Sequence, residues 1–337
     1  MKLDNLKYID LFAGIGGFHQ ALNAFDAECV FASEWDEHAS KTYEANYGIK
    51  PSGDITKIDE KVIPYHDILC GGFPCQAFSV SGKQNGFEDS RGTLFFDIAR
   101  IVKYHKPKLV FLENVKNFER HDNGNTLKIV KNTLDQLGYD VKHKVLKASN
   151  FGLPQNRERI FFVCFRKDIV MDEFTFPKSL NIKVALSDFL EEHPSNAKII
   201  DRPDIKIYKV HSPVTNIFGE IELPNRPIQI GIVNKGGQGE RIYDPIGHAI
   251  TLSAHGGGVG SKTGLYKIGN TIRKLSTREC ARIQGFPDDF NIVSSQSQAY
   301  KQFGNSVAID VLKAILKQIV NTKIVTDKAE SKILING

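Results

Sequence analysis

The sequence contains no apolar run approaching the roughly 18 residues that a membrane-spanning helix needs, which excludes an ordinary transmembrane segment. Nor does it open like a signal peptide. Met1-Lys2-Leu3-Asp4 passes directly into a strand-like segment, so a cytoplasmic location is expected. Cysteine is scarce and odd in number: Cys29, Cys70, Cys75, Cys164 and Cys280 have neither the paired CxxC spacing of structural zinc sites nor the density of a disulfide scaffold. Free thiols and no metal are expected. No internal repeat and no low-complexity tract interrupts the chain.

What is present fits a soluble globular protein with a sizeable core: 337 residues, 41% hydrophobic and 25% charged. The net charge of +5 alone says little about partners, but its distribution says more. Residues 226–282 carry nine basic against three acidic side chains, and 11 of the chain's 28 glycines. This stretch reads as a basic, loop-rich module, in which glycine permits close approach.

Upstream, strand-like segments at 7–12, 28–33, 67–70, 109–113 and 160–165 alternate with helical apolar spacing at 18–25, 93–104 and 127–137. Such alternation predicts an α/β fold with a doubly wound, mostly parallel sheet. After about residue 187 the rhythm changes, with prolines at 194, 203, 213, 224 and 227, while helical spacing returns at 306–320. The expected division is a catalytic domain of residues 1–187 plus 305–327, a smaller loop-rich target-recognition domain at 188–276, and a hinge at 277–304.

The run Asp10-Leu-Phe-Ala-Gly-Ile-Gly-Gly-Phe18 is a strand, glycine turn and helix start, where a ligand can reach the backbone. It is no Walker loop, and His19 stands where a dinucleotide fingerprint needs a third glycine. Glu34 follows the next strand, 20 residues beyond Gly14, where its carboxylate can accept two ribose hydroxyls. Asp54 could accept an adenine amino group or simply shape a turn, and Phe12 and Trp35 could flank an adenine ring or belong to the core. Together they suit an adenosine-containing ligand without phosphates, and S-adenosylmethionine fits better than a dinucleotide.

Cys75, in Gly71-Gly-Phe-Pro-Cys-Gln76, sits just past a strand's carboxyl end and is the candidate nucleophile. A thiol with a pKa of about 8.5 needs a nearby cation or helix N-terminus to be mostly thiolate at neutral pH. Glu113 ends the next strand, where it could hold or donate a proton, although strand-end acids are commonly solvated. Arg157 and Arg159 alternate as on a strand and would face one side, orienting Glu113, lowering the Cys75 pKa and holding phosphate, or else pairing at the surface.

Phe12-Ala-Gly-Ile-Gly-Gly17, Gly72-Phe-Pro-Cys75, Glu113-Asn-Val115, Gln155-Asn-Arg-Glu-Arg159 and Gln302-Phe-Gly-Asn-Ser306 occur in the order of the blocks of the 5-methylcytosine DNA methyltransferases. The chain resembles that family over nearly its whole length, most closely its small bacterial HhaI-type members, including Ser79-Val-Ser-Gly-Lys83 and Gly236-Gly-Gln-Gly-Glu-Arg-Ile-Tyr243. The resemblance implies a site-specific DNA (cytosine-5)-methyltransferase that acts on a flipped-out cytosine in double-stranded DNA through a covalent Cys75 adduct. Glu113 would bind the ring nitrogen, with Arg157 and Arg159 organising the pocket. Phe12, Gly14, Gly16, Gly17, Glu34, Trp35, Asp54, Ile55, Pro74 and Asn305 would form the site for S-adenosylmethionine.

By the same resemblance Ser81 and Gln238 would enter the duplex from opposite grooves, Arg241 would read guanine, and Thr251 and His255 would also contact DNA. The implied target is a GCGC-like palindrome, though His255 and Val259-Gly-Ser261 depart from the family pattern at the outer bases. A bacterial monomer is expected, with room for a companion restriction endonuclease acting on the same site without direct contact. Two other readings stay open. One is a tRNA cytosine-5-methyltransferase of the same superfamily, against which the glycine-rich module argues. The other is a catalytically silent DNA-binding protein, against which the intact Cys75, Glu113, Arg157 and Arg159 argue.

Overall fold

The structure, a computed structural model, describes residues 3–74, 94–169, 172–180, 182–208 and 223–322. In chain order the first body contains β1 (Lys7–Leu11), α1 (Gly17–Asn23), β2 (Glu28–Ser33), α2 (Glu37–Tyr47), β3 (Ile68–Gly72), α3 (Leu94–His105), β4 (Leu109–Val115), α4 (Asn125–Gln136), β5 (Tyr139–Lys147) and β6 (Glu158–Arg166). A second group follows: β7 (Lys206–Ile207), β8 (Ile228–Ile232), β9 (Arg241–Asp244), β10 (Leu265–Ile268) and β11 (Thr271–Arg273). Helices α5 (Thr277–Gln284), α6 (Gln296–Asn305) and α7 (Ile309–Asn321) complete the chain.

The six-stranded sheet runs β2-β1-β3-β4-β6-β5. β2, β1, β3 and β4 are mutually parallel, while β6 lies antiparallel to both β4 and β5. Side-chain alternation divides the core between the two faces. Tyr8, Ile68, Phe111, Phe161 and Val163 point towards α1 and α7, whereas Ile9, Leu69, Val110, Leu112 and Phe162 point towards α3 and α4. The order reverses at β1, which has β2 on one side and β3 on the other, so a crevice opens beyond the carboxyl ends of β1 and β3. The glycine turn follows one of these strands and the segment leading to Cys75 follows the other.

In the first body, β5 and α2 lack the periodicity that marks the other elements. β5 carries Lys142, His143 and Lys144 on a half-exposed edge, so its charges mask strand alternation. Helix α2 buries only Ala39, Thr42 and Tyr43, too few apolar positions to announce a helix. The final helix begins three residues later than its spacing suggests, because Ser306 is extended and Val307 packs just before the first turn.

The second sheet runs β11-β10-β9-β8-β7, with strands of only two to five residues around Ile200, Ile228, Ile230, Val233, Ile242 and Leu265. Much of this module is therefore connection. α5 and α6, within the segment expected as a hinge, insert Cys280, Ile283, Ala299 and Phe303 into the main core. Gln155 bridges Ala249, and the neighbouring backbone bonds Asn156 N to Ala249 O (3.0 Å) and Ala249 N to Pro154 O (2.7 Å) seam the two bodies.

Candidate active site

The chain leaves β1 through Phe12, whose φ of 55° is a left-handed conformation uncommon for an aromatic residue. At Gly16, φ is 83° and an added Cβ would stand 2.2 Å from the Tyr47 ring, so only glycine lets the turn settle there. Gly16 and Gly17 thus shape the turn from behind, against Tyr47 and Val307, whereas Phe12 and Gly14 line the cavity in front.

That cavity, of about 770 Å³, sits in the crevice at the carboxyl ends of the strands. Glu34, Trp35, Asp54, Ile55, Pro74, Glu113, Arg157, Arg159, His255 and Asn305 also line it, so the structure gathers most of the expected donor and catalytic residues around one space. Cys75 and Ser81 lie outside the described residues. Pro74, the last described residue before Cys75, is at the cavity wall.

The donor side is held by a carboxylate. Glu34 Oε2 accepts the Gly14 N–H at 2.8 Å and its Oε1 accepts the Asp36 N–H at 2.7 Å. Burial raises the Glu34 pKa against those bonds, and the charge of Asp36 adds to the rise. Each oxygen retains a lone pair. Trp35 is 80% exposed, an indole presented to the cavity rather than used as core. Asp54 caps a short turn by accepting from Thr56 N (3.1 Å) and Oγ1 (2.8 Å), so its turn role and its place at the cavity coexist. Ile55 beside it is buried. A paired acceptor, an open aromatic face and a glycine turn suit the ribose and base of S-adenosylmethionine.

At the far side stands Glu113, 7% exposed at the end of β4. Arg159 Nε lies 3.0 Å from Glu113 Oε1, yet that oxygen is buried and has no hydrogen-bond partner among the described residues, so the contact is a charge pair off the N–H axis. Burial raises the Glu113 pKa, and Arg159 and then Arg157 oppose the rise. Gly72 leaves room here, since a Cβ on it would approach Glu113 Oε2 to 3.2 Å. Asn114, which no local sequence signal marks as functional, donates from Nδ2 to Phe73 O at 2.9 Å and so fixes the chain two residues before Cys75.

Arg157 lines the same cavity and spends its hydrogen bonds elsewhere. Its guanidinium does not reach Glu113 but donates to the carbonyls of Leu252 (3.2 Å), Gly304 (3.2 Å) and Ser306, tying the second body and the Asn305 turn to the sheet. Nearby, Gln155 donates to Ile283 O at 3.0 Å and accepts from Leu252 N at 3.1 Å. Gly304 makes the seam tight, because an added Cβ would lie 2.3 Å from Ser253 C and 2.4 Å from Ala254 N. These residues act across the fold, and no local signal announces them.

The recognition candidates spread out. Gln238 is exposed, and Arg241 is exposed at the start of β9 with Nε donating to Gly236 O at 3.3 Å. Thr251 spends its hydroxyl proton on Asn156 O, in the seam. Of the described members of this group, only His255 reaches the cavity wall. No cluster of three or more metal-ligating side chains occurs among the described residues.

A parallel-rich sheet, a glycine turn after β1 and a carboxylate after β2 define the fold of S-adenosylmethionine-dependent methyltransferases. The chain belongs to the C-5 cytosine-specific DNA methylases, whose family model matches residues 6–321, and it is a DNA (cytosine-5)-methyltransferase. It is 55% identical to the type II methyltransferase M.HhaI of Haemophilus parahaemolyticus, over 94% of this chain and 95% of that enzyme. It is 46% identical to the type II methyltransferase M.HpaII of Haemophilus parainfluenzae, over 94% of this chain and 90% of that one. In fold it is similar to the Dnmt2 methyltransferase of S. pombe, with a TM-score of 0.67 at 19% identity over 94% of this chain and 98% of that one.

Proposed function

We propose that the enzyme methylates carbon 5 of a cytosine flipped out of duplex DNA, through a covalent bond from Cys75, at the GCGC-like palindrome that the sequence resemblance implies. The observation that carries this reading is the buried Glu113 Oε1, without a hydrogen-bond partner among the described residues, set in the cavity that the glycine turn also lines and beside the strand end that leads to Cys75.

Carbon 5 of cytosine is a poor nucleophile until a thiolate adds at carbon 6. As the Cys75 sulfur adds, electron density moves towards the ring nitrogen. Glu113, which burial makes readier to hold a proton, supplies a hydrogen bond or proton there. Arg159 keeps the carboxyl in place by charge. S-adenosylmethionine, when bound, supplies an electrophilic methyl group. Loss of the carbon 5 proton to a water or hydroxide base then expels sulfur as thiolate, returns any ring-nitrogen proton to Glu113 and restores the aromatic ring.

Phe12, Gly14, Glu34, Trp35, Asp54, Ile55, Pro74 and Asn305 hold the donor in this scheme, while Gly16 and Gly17 set its turn. Ser81 and Gln238 fill the space the base leaves, and Arg241, Thr251 and His255 meet the DNA. The chain divides into residues 1–187 with 305–327, 188–276, and 277–304 in between. It works as a cytoplasmic monomer beside a restriction endonuclease of the same specificity. No helix among the described residues is long and apolar enough to cross a membrane.

The test uses duplexes with 5-fluorocytosine at the target of a GCGC site. Fluorine cannot leave as the proton does, so methyl transfer should arrest as a denaturation-resistant protein-DNA adduct. A scrambled duplex, a transfer RNA and the Cys75→Ser variant should give none. Methylation of ordinary duplex without any adduct on the fluorinated one would remove Cys75 from the scheme.

A further inference from the structure

Helix α2 and the C-terminal segment that enters α6 lie about 250 residues apart in sequence, yet hydrogen bonds join them at three levels. Asn46 exchanges two bonds with the backbone of Asn291, Nδ2 to O at 3.0 Å and N to Oδ1 at 2.7 Å. One turn nearer the cavity, the Thr42 hydroxyl oxygen lies 3.0 Å from Ser294 Oγ and 3.3 Å from Gln302 Oε1. At the N-terminus of α2 the row reaches the cavity wall, where Lys301 Nζ donates to Asp36 Oδ2 at 2.6 Å.

Asp36 is the junction. Its Oδ1 accepts the His38 and Ala39 N–H groups at 3.0 Å each and caps α2. Its own N–H donates to Glu34 Oε1. A continuous path therefore runs from Lys301 through Asp36 to the carboxylate that the glycine turn holds on its other oxygen. The same Lys301 stands four residues before Asn305, on the helix whose end forms the opposite wall.

We propose that Lys301 is a positioning residue for the methyl donor: its ion pair with Asp36 latches α6 across the mouth of the donor pocket and fixes Glu34 where the ribose meets it. The proposal rests on the assignment of this cavity to S-adenosylmethionine. The pair is the ionic rung of the row and is half-buried, with side-chain exposures of 35% for Lys301 and 24% for Asp36. Its effect is accordingly moderate and sensitive to salt, unlike that of the neutral rungs below it.

The experiment measures S-adenosylhomocysteine binding by calorimetry on the full chain, with steady-state kinetics alongside. Lys301→Gln and Asp36→Asn should each raise the Kd and the donor KM by about three- to tenfold, with a smaller effect on kcat. The double variant should be no worse than either single one. Lys301→Arg should restore most of the affinity. In the wild type the Kd should rise with salt, and in Lys301→Gln that dependence should flatten. Unchanged affinity in Lys301→Gln, additive losses in the double variant, or equal salt dependence in both proteins would overturn the latch while leaving the donor site intact. Failure of the wild type itself to bind would overturn the donor assignment and the latch with it.

Discussion

Glu113 on β4 and Arg159 on β6 form a diagonal pair on antiparallel neighbours, their side chains 3.0 Å apart without a hydrogen bond between them at Oε1. The arrangement attracts without saturating. Arg159 offsets part of the cost of a buried charge, while the oxygen stays free to carry a proton towards a substrate group. A fully hydrogen-bonded pair would be a structural salt bridge and a poor partner for a base.

Glu113→Gln should lower turnover by about 10²- to 10⁴-fold while changing S-adenosylhomocysteine affinity little, as read by single-turnover kinetics and calorimetry. Its stability should also report the raised pKa. The folded Glu113 keeps its proton to higher pH than the ordinary 4.5, so the stabilising contribution is fully present below that value and fades as pH rises through the raised one. Glutamine carries no such dependence. Melting temperatures of both proteins from about pH 4 to pH 8 should therefore move in favour of the variant as pH increases. A gap constant with pH would mean that Glu113 titrates as an ordinary glutamate.

Arg157→Lys keeps the charge but cannot span the carbonyls of Leu252, Gly304 and Ser306. Urea denaturation should register a loss of about 2 to 4 kcal/mol, because buried acceptors lose their donors. If lysine were tolerated without loss, the carbonyl clamp would not be what joins these segments.

Gly304→Ala places a methyl group 2.3 Å from Ser253 C, against backbone that cannot rotate away. A destabilisation of about 1 to 3 kcal/mol is expected, along with weaker donor binding as the Asn305 turn shifts. Denaturation and calorimetry on the same protein measure both. Wild-type values for each would show that the seam yields.

Arg241 is exposed in the glycine-rich module, with Nε donating to Gly236 O at 3.3 Å. If it reads guanine, Arg241→Ala should cost about 1 to 3 kcal/mol on the cognate site and relax choice at one position. If it touches phosphate alone, every sequence should lose alike and the salt dependence of binding should fall by about one counterion. Binding across a library of single-base variants at two salt concentrations separates these patterns, and a uniform loss would end the base-reading assignment.

The sequence by itself determined the parallel-rich sheet, because buried strands are short apolar runs and glycine turns follow them locally. It also determined which strand ends carry Glu34 and Glu113, and hence the neighbourhood of the donor cavity. It was less informative where charge covers an edge, as on β5, or where a module is built of very short strands, as in the second sheet. Tertiary structure alone decided that Trp35 is an exposed wall rather than core, and that Arg157 clamps carbonyls up to 149 residues away. It likewise brought Lys301 to Asp36 and the backbone of Gly304 to that of Ser253. The reason is the range of the interactions. Periodicity and turn chemistry act over a few residues, whereas the partner of a buried guanidinium or ammonium is whatever acceptor the packed chain brings within about 3 Å.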